Sequence, residues 1–272
     1  MSLNKPYHRT YRKIKEGENS GYSDWAYIVD KEYSNEPEHY TRAFSIIQQD
    51  IMKVFEFIEP SDVNEKVYSF RIHELLMRTC IEIEANFKAI LRENIYSPLY
   101  KKGPNKGKTR TEDSWNINDF KIVNKTHHLD SYTIEIPIWK GNKKIRKPFV
   151  DWKDNKPLKW YQSYNNSKHD RINKFQEANF ENLMDAFCGL FALLSSQFRT
   201  EDFFPGESLM SFGSNGYYKG SFGIGGFLMV NFPQNWSEDE LYEFNWSDLG
   251  KESVKFQKIN YNEISPPVKR SV

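Results

Sequence analysis

Residues 160–198 read WYQSYNNSKHDRINKFQEANFENLMDAFCGLFALLSSQF, and this stretch decides the fold class. Its apolar residues recur at spacings of three and four, the period of an amphipathic helix. Ser167 and Asp170 have the spacing of a capping box, which marks the start of a helix. The stretch therefore predicts one long helix from Lys168 to Phe198, with Ile172 and Phe175 on its core face.

The first turn of this predicted helix is unusually basic. Positive charge is unfavourable at a helix N-terminus, where backbone N–H groups attract anions instead. Polar side chains also fall on the apolar face and need partners there. These inward-facing polar residues are Lys168, Arg171, Asn179 and Asn182. The pattern predicts an anion nearby, either a ligand phosphate or an acidic side chain in an internal salt bridge. His169 lies at the edge of the stripe, where it could line a cleft or simply sit at the surface.

Two long helices are predicted upstream. Asn35 before Glu36 and Pro37 is a helix-start signal, and apolar residues at helical spacing continue to Ile58. A second helix is predicted from about Val67 to Asn94.

On the second predicted helix, His73 and Glu84 fall close to the apolar stripe. Glu84 is therefore a candidate partner for Lys168 or Arg171. The alternative is that Glu84 lies at the margin of the stripe and extends to water.

Residues 96–159 differ from the helical regions. Strands are predicted at Phe120–Val123 and Tyr132–Trp139. Residues 99–160 contain fifteen Lys or Arg against seven Asp or Glu, interleaved with aromatic residues. Single-stranded nucleic-acid surfaces have this composition, and so does a solvated loop with anchoring aromatics. The candidate nucleic-acid contacts are Lys101, Lys102, Lys106, Lys108, Arg110, Lys143, Lys144, Arg146, Lys147 and Trp160.

Residues 199–272 read as short strands with glycine turns, and Gly223–Phe232 is predicted as a buried strand. The glycines do not match a P-loop or a dinucleotide-binding motif. No cysteine or histidine pair has zinc-ligand spacing, so we expect neither a metal nor a cofactor.

The whole chain has a composition typical of a globular protein. It has 272 residues, and 38% of them are hydrophobic. Its net charge is +1, so the protein as a whole has no strong positive electrostatic potential that would attract nucleic acid. Cys80 and Cys188 lie on apolar helical faces and indicate reduced core thiols. The longest apolar run, Ala186–Leu194, is too short to span a bilayer, and the opening residues do not have the pattern of a signal peptide. We therefore expect a cytoplasmic protein without a membrane partner.

The helical stretches together resemble the HEPN superfamily of prokaryotic helical domains. The resemblance rests on RIHELLMRTCIEIEANFKAILREN, on YNNSKHDR and on ANFENLMDAFCGLFALL, and it covers residues 36–95 and 160–198. Many members of that superfamily are metal-independent endoribonucleases of toxin–antitoxin or phage-defence systems, and they act as homodimers. Others are non-catalytic binding or assembly modules. Their catalytic signature, an Arg with a His five to seven positions later, is absent at all six histidines.

We expect a mainly α, α+β protein with an HEPN-like helical bundle. Its predicted parts are an N-terminal arm (1–34), two long helices (35–95), a basic β-containing insertion (96–159), a third helix (160–198) and a β-rich C-terminal segment (199–272).

Two functions fit this sequence. The first is binding of RNA or another phosphate-bearing ligand, with RNA cleavage in which His169 transfers a proton. Lys168 and Arg171 would then stabilise phosphate charge, and Asn165 or Asn166 would orient it. The resemblance further implies that the protein forms a homodimer and has an antitoxin or defence-system partner. The second is a non-catalytic module in which Lys168, Arg171 and Glu84 form a buried structural network.

Overall fold

The computed structural model describes residues 2–203 and 221–264. Within these ranges the α-helices are α1 (Pro37–Phe55), α2 (Phe70–Glu93), α3 (Ile117–Phe120), α4 (Asn124–His127), α5 (Lys159–His169), α6 (Arg171–Lys174), α7 (Phe180–Phe198) and α8 (Trp246–Leu249). The strands are β1 (Thr133–Glu135), β2 (Ile145–Arg146), β3 (Ser221–Phe222) and β4 (Met229–Asn231). Short 3₁₀ helices connect them, including Lys121–Val123 and Phe175–Glu177. The predicted mainly α, α+β class is confirmed.

The chain divides into two compact units. Unit 1 comprises Met1–Asn35, Glu84–His128 and Trp236–Val272, and unit 2 comprises Glu36–Ile83 and Leu129–Asn235. The predicted insertion at 96–159 is therefore not one piece, because it contributes to both units. None of the helices in the described ranges is long and apolar enough to cross a membrane.

Helix α7 forms the centre of unit 2. All its residues are buried except Asp185, which is half-buried, so the helix is enclosed on every side and not amphipathic. Phe187 stacks on Phe44 of α1 at 5.2 Å between ring centroids. Gly189 lies against Trp160 of α5, where an added Cβ would come within 3.3 Å of the indole. Close packing of this kind gives a buried helix its stability.

The long helix predicted from Lys168 to Phe198 is broken near its start. Ser167 does not cap a helix, because its hydroxyl donates to the Ser163 and Tyr164 carbonyls inside α5. Asp170 leaves the helical conformation and accepts from the Asn173 N–H as the N-cap of α6. Asn179 then caps α7 by accepting from the Asn182 N–H. Short polar side chains that bond their own backbone end helices in this way.

A four-stranded antiparallel sheet, in the order β2-β1-β4-β3, completes the described part of unit 2. Ile134 of β1 pairs with Arg146 of β2 and with Val230 of β4. The predicted strands at Tyr132–Trp139 and Gly223–Phe232 are confirmed only in part, because β1 lies near the start of the first range and β4 near the end of the second. Strands predicted between residues 204 and 220 lie outside the described residues.

Unit 1 has a core of aromatic residues from both ends of the chain. Tyr27 and Tyr242 are fully buried, and their rings meet edge to face at 5.7 Å. Residues 2–35 therefore pack into this unit. The strand predicted at Phe120–Val123 is wrong: Asn116 and Asp119 form a capping box there, and the backbone is helical.

Candidate functional site

The predicted catalytic residues lie where α5 ends and α6 begins. Lys168 and His169 occupy the last turn of α5, not the first turn of a long helix. At a helix C-terminus the macrodipole is negative, so cations are favourable there without any ligand. The helix-dipole argument for a neighbouring anion is therefore wrong.

The cations of this segment are exposed, although they were predicted to point inward. The Lys168 ammonium donates to the Tyr164 hydroxyl at 3.2 Å. It does not form the predicted ion pair with Glu84. Within residues 2–203 and 221–264, Lys168, His169 and Arg171 form no ion pair. Ile172, predicted to face the core, is 89% exposed. The break at Asp170 explains these differences, because it turns the segment away from the face that α7 buries.

The two amides of the predicted site differ in their contacts. Asn165 is half-buried, whereas Asn166 is exposed and donates to the Glu177 carboxylate at 2.8 Å. This hydrogen bond ties the end of α5 to the Phe175–Glu177 turn. It also lowers the pKa of Glu177, together with a hydrogen bond from Lys174.

Several aromatic rings contact Phe175, which follows Arg171 by four positions in the chain. Phe175 is half-buried and contacts the rings of Phe70 at 4.8 Å and Tyr68 at 5.8 Å. Phe70 is 70% exposed and Tyr68 is 44% exposed, so water reaches both rings. An extended segment places them there, because Tyr68 pairs with Asn179 just before α7.

The imidazole of His73 joins the same group of rings, at 5.6 Å from Phe175. Its Nε2 is buried and has no hydrogen-bond partner in the described part of the chain. We call the set of Tyr68, Phe70, His73, Phe175, Lys168, His169 and Arg171 the aromatic–cationic cluster. Sequence reasoning missed Tyr68 and Phe70, whose alternate spacing before a helix was the available signal.

Asn179, Asn182 and Glu84 are the other side chains that were predicted to be buried polar partners. Asn179 and Asn182 are buried, and both belong to the cap at the start of α7. The Asn182 amide also donates to the Glu177 carbonyl at 2.8 Å. Glu84 is half-buried on α2.

A buried charge network is present in unit 2, but other residues form it. Arg146 donates to Glu65 at 3.0 Å, to Asp185 at 2.8 Å and to the Lys143 carbonyl at 2.9 Å. Its guanidinium also lies 4.5 Å from the centre of the Trp139 ring. Every guanidinium nitrogen of Arg146 is thus engaged, and the residue is only 5% exposed. The prediction that Arg146 contacts nucleic acid is inconsistent with this burial.

Lysines at the edge of the network neutralise its remaining carboxylates. Lys143 pairs with Glu65 and Glu181, and Lys66 and Lys159 both pair with Glu181. Burial alone would raise the pKa of Glu181, but hydrogen bonds from Lys159 and Lys66 lower it to about 2. Burial raises the pKa of Asp185 against the opposing effect of Arg146. Lys143 and Arg146, which were predicted to contact nucleic acid, therefore pair with carboxylates of the protein instead.

The remaining predicted nucleic-acid contacts fall into two groups. Arg110 is engaged, because it binds both carboxylate oxygens of Asp119 at 2.7 and 3.0 Å. Lys144 pairs with Glu135, and Trp160 is 2% exposed with its indole N–H donating to the Pro148 carbonyl. Trp160 therefore offers no surface on which a base could stack. The exposed lysines of this set that form no ion pair with the described residues are Lys101, Lys102, Lys106, Lys108 and Lys147.

The described residues include no group of three or more His, Cys, Asp or Glu side chains that could hold a metal ion. Cys80 and Cys188 are buried, and neither forms a disulfide within the described residues. Burial raises the pKa of the Cys188 thiol, which disfavours the nucleophilic thiolate.

Comparison with known proteins adds no family. No protein-family model matches the sequence, and neither the curated proteins nor the solved structures gave a match. The function must therefore be argued from the site itself.

Proposed function

We propose that this protein binds single-stranded RNA through the aromatic–cationic cluster. Single-stranded nucleic acids are held by rings that stack on bases and by cations that contact the backbone. The cluster combines exposed rings with Lys168, His169 and Arg171, which no described carboxylate neutralises. Elsewhere in unit 2, the Arg146 network pairs its cations with acids.

The observation that carries the proposal is the exposure of Phe70. Its ring contacts Phe175 at 4.8 Å, yet 70% of its surface remains in water. Leaving a large apolar ring in water forgoes the free energy of burial. Such a ring offers a surface on which a base can stack, and the exposed cations of the same cluster can contact the phosphate backbone.

A binding experiment tests this proposal. The probe is a fluorescent 2′-O-methyl oligouridine, which cannot be cleaved by attack of a 2′-hydroxyl. We expect the parent to bind it with strong salt dependence, and Phe70→Ala to weaken binding about tenfold, because base stacking contributes about 1–3 kcal/mol per base. Lys168→Gln combined with Arg171→Gln should weaken binding and reduce the salt dependence.

The exposed lysines of the 101–108 loop provide the matched control. Lys101→Gln with Lys102→Gln removes two exposed charges, as the paired change in the cluster does, but in unit 1. We expect this control to retain affinity close to that of the parent. If it loses as much as Phe70→Ala does, the loop is the interface and the cluster proposal fails. Absence of binding by the parent would end the proposal altogether.

The proposal extends to RNA cleavage through one specific feature. The His169 imidazole is exposed between Lys168 and Arg171, so a bound RNA could reach it. As general base His169 would take the proton of a ribose 2′-hydroxyl, or as acid it would protonate the leaving oxygen. Lys168 and Arg171 would stabilise the charge on the phosphate, with Asn165 or Asn166 orienting it.

Cleavage is tested with natural RNA in EDTA. The parent should cleave without a metal, and His169→Ala should abolish cleavage while still binding the 2′-O-methyl probe through the other members of the cluster. Equal cleavage by both proteins would discard this mechanism and leave the binding proposal intact.

The HEPN-like assignment belongs to the same proposal. It implies a homodimer and a toxin–antitoxin or phage-defence partner. A dimer would double the number of clusters available to one RNA strand and raise its affinity. Sedimentation equilibrium tests this part, since a monomeric mass at micromolar concentration contradicts it.

A further inference from the structure

Three arginines are almost completely buried in the described structure, and two of them have carboxylate partners. Arg9 is fully buried and pairs with Glu93 at 2.7 Å. Arg146 pairs with Glu65 and Asp185. Arg12 is 6% exposed and forms no ion pair with any described residue. A buried charge without a counterion is costly, so Arg12 differs from the other two in a way that needs a reason.

Neutral groups hold the Arg12 guanidinium in place. Nη1 donates to the Glu240 carbonyl at 3.1 Å, and Nη2 lies 3.4 Å from the Thr126 carbonyl. The rings of Tyr7 and Trp236 lie 5.4 and 5.5 Å from it. Its Nε is buried and has no hydrogen-bond partner in the ranges that the structure describes. The guanidinium is therefore oriented, but its charge is not neutralised.

The groups around Arg12 supply no compensating negative charge. Burial lowers the pKa of His127 to about 3, so this imidazole is neutral near pH 7. Burial also raises the pKa of the phenols of Tyr242 and Tyr261, which remain protonated. The Glu240 carboxylate lies 2.9 Å from His128 and accepts from the N–H and hydroxyl of Ser237, and it forms no ion pair with Arg12.

Arg12 lines an open pocket of about 410 Å³ in unit 1. Lys258 brings a second cation to the pocket, and Asn260 and Tyr7 contribute polar groups. Glu263 also lines it, but its exposed carboxylate accepts from the Asn260 amide at 2.6 Å and lies beyond ion-pair distance of Arg12. A pocket of this size accommodates a small organic ligand.

We propose that this pocket binds a small molecule with a terminal phosphate, of about the size of a mononucleotide. Arg12 would supply the buried, oriented guanidinium, and Lys258 would supply a second positive charge at the pocket. Two cations favour a phosphate over a carboxylate, because a phosphate monoester carries nearly two negative charges. The site lies in unit 1, and its occupation does not depend on RNA binding by the aromatic–cationic cluster.

Titration calorimetry with AMP, adenosine, inorganic phosphate and acetate tests the proposal. We expect AMP to bind, and adenosine, which lacks the phosphate, to bind at least about tenfold more weakly. Inorganic phosphate should compete with AMP, whereas acetate should not. No binding of AMP or phosphate at roughly 1 mM would overturn the site. Acetate binding as tight as phosphate binding would overturn the phosphate assignment.

Two variants link the ligand to these side chains. Arg12→Gln should lose at least about tenfold in AMP affinity, and Lys258→Gln should lose less. Lys251→Gln, an exposed lysine of the same unit outside the pocket, should bind AMP as the parent does. If Arg12→Gln does not fold, Lys258→Gln decides, since Lys258 is exposed. Unchanged affinity in Lys258→Gln and in any folded Arg12 variant would refute the proposal.

Discussion

The Lys143–Arg146 and Lys168–Arg171 segments are both basic, yet unit 2 uses them in opposite ways. In the first, Arg146 is buried between Glu65 and Asp185, and Lys143 pairs with Glu65. In the second, Lys168 and Arg171 are exposed and pair with no described acid. The difference teaches that basic residues close in sequence do not form a ligand site by virtue of charge alone. Only cations that the fold leaves unneutralised remain available to a ligand.

Removing Arg146 should have the largest effect of the changes that test this comparison. Arg146→Met leaves the half-buried Asp185 without its arginine and the buried Glu65 with only the exposed Lys143 as a partner, and we expect a loss of about 3–5 kcal/mol in the free energy of unfolding. Urea denaturation measures this. Lys144→Gln, an exposed neighbour that pairs with Glu135, is the control and should change stability by less than about 0.5 kcal/mol. A similarly small effect for Arg146→Met would break the distinction between the two segments.

The buried His127 and the exposed His169 allow a similar comparison, in which the dependence of stability on pH is measured. Burial lowers the folded-state pKa of His127 to about 3, below the value near 6.5 of an unfolded chain. Between these values the unfolded state binds the extra proton, so stability present above pH 6.5 is lost as the pH falls towards 3. We expect the free energy of unfolding to drop by about 2 kcal/mol from pH 7 to pH 5.

The exposed His169 provides the control for this pH effect. His169→Ala removes an exposed histidine instead, so comparing its pH profile with that of the parent shows whether the drop requires the buried residue. His127→Gln, if it folds, should lose about 2 kcal/mol of the drop, and what remains includes the contribution of His8, whose pKa burial also lowers. A parent protein whose stability is flat between pH 7 and pH 5 would contradict the role of His127.

The smallest expected effect concerns the exposed segment itself. Arg171→Ala should change the free energy of unfolding by less than about 0.5 kcal/mol, because the side chain is exposed and no described acid depends on it. Thermal unfolding measures this. A loss of several degrees in melting temperature would mean that Arg171 has a structural partner. The Lys168–Arg171 segment would then stabilise the fold, as the Lys143–Arg146 segment does.

The long helices could be predicted because their signals are local. The spacing of apolar residues placed α1 and α2 within a few residues of their observed ends. The start of the third helix could not be placed by the same means. Ser167 and Asp170 have capping-box spacing, but the Ser167 hydroxyl bonds back into α5 and Asp170 caps a different helix. Both outcomes use the same residues, so local spacing cannot decide between them.

The candidate site was predictable only in part. The cationic residues of YNNSKHDR were visible as a group, but the exposed rings of Tyr68 and Phe70 lie about a hundred positions earlier. They meet Phe175 because Tyr68 pairs with Asn179, and no local pattern encodes such a long-range pairing. The aromatic residues near the basic stretch were misleading for the same reason, since Trp160 is buried against Gly189 of α7.

By itself, the sequence determined the mainly helical class, the two upstream helices and the burial of both cysteines, because helical periodicity and hydrophobic burial act over short stretches. Only the tertiary structure decided which charges are neutralised. Arg9 and Arg146 find carboxylates far away in the chain, Arg12 does not, and Lys168 and Arg171 remain in water. The energy of a charge depends on its burial and on its nearest counterion, and both are set by residues distant in sequence.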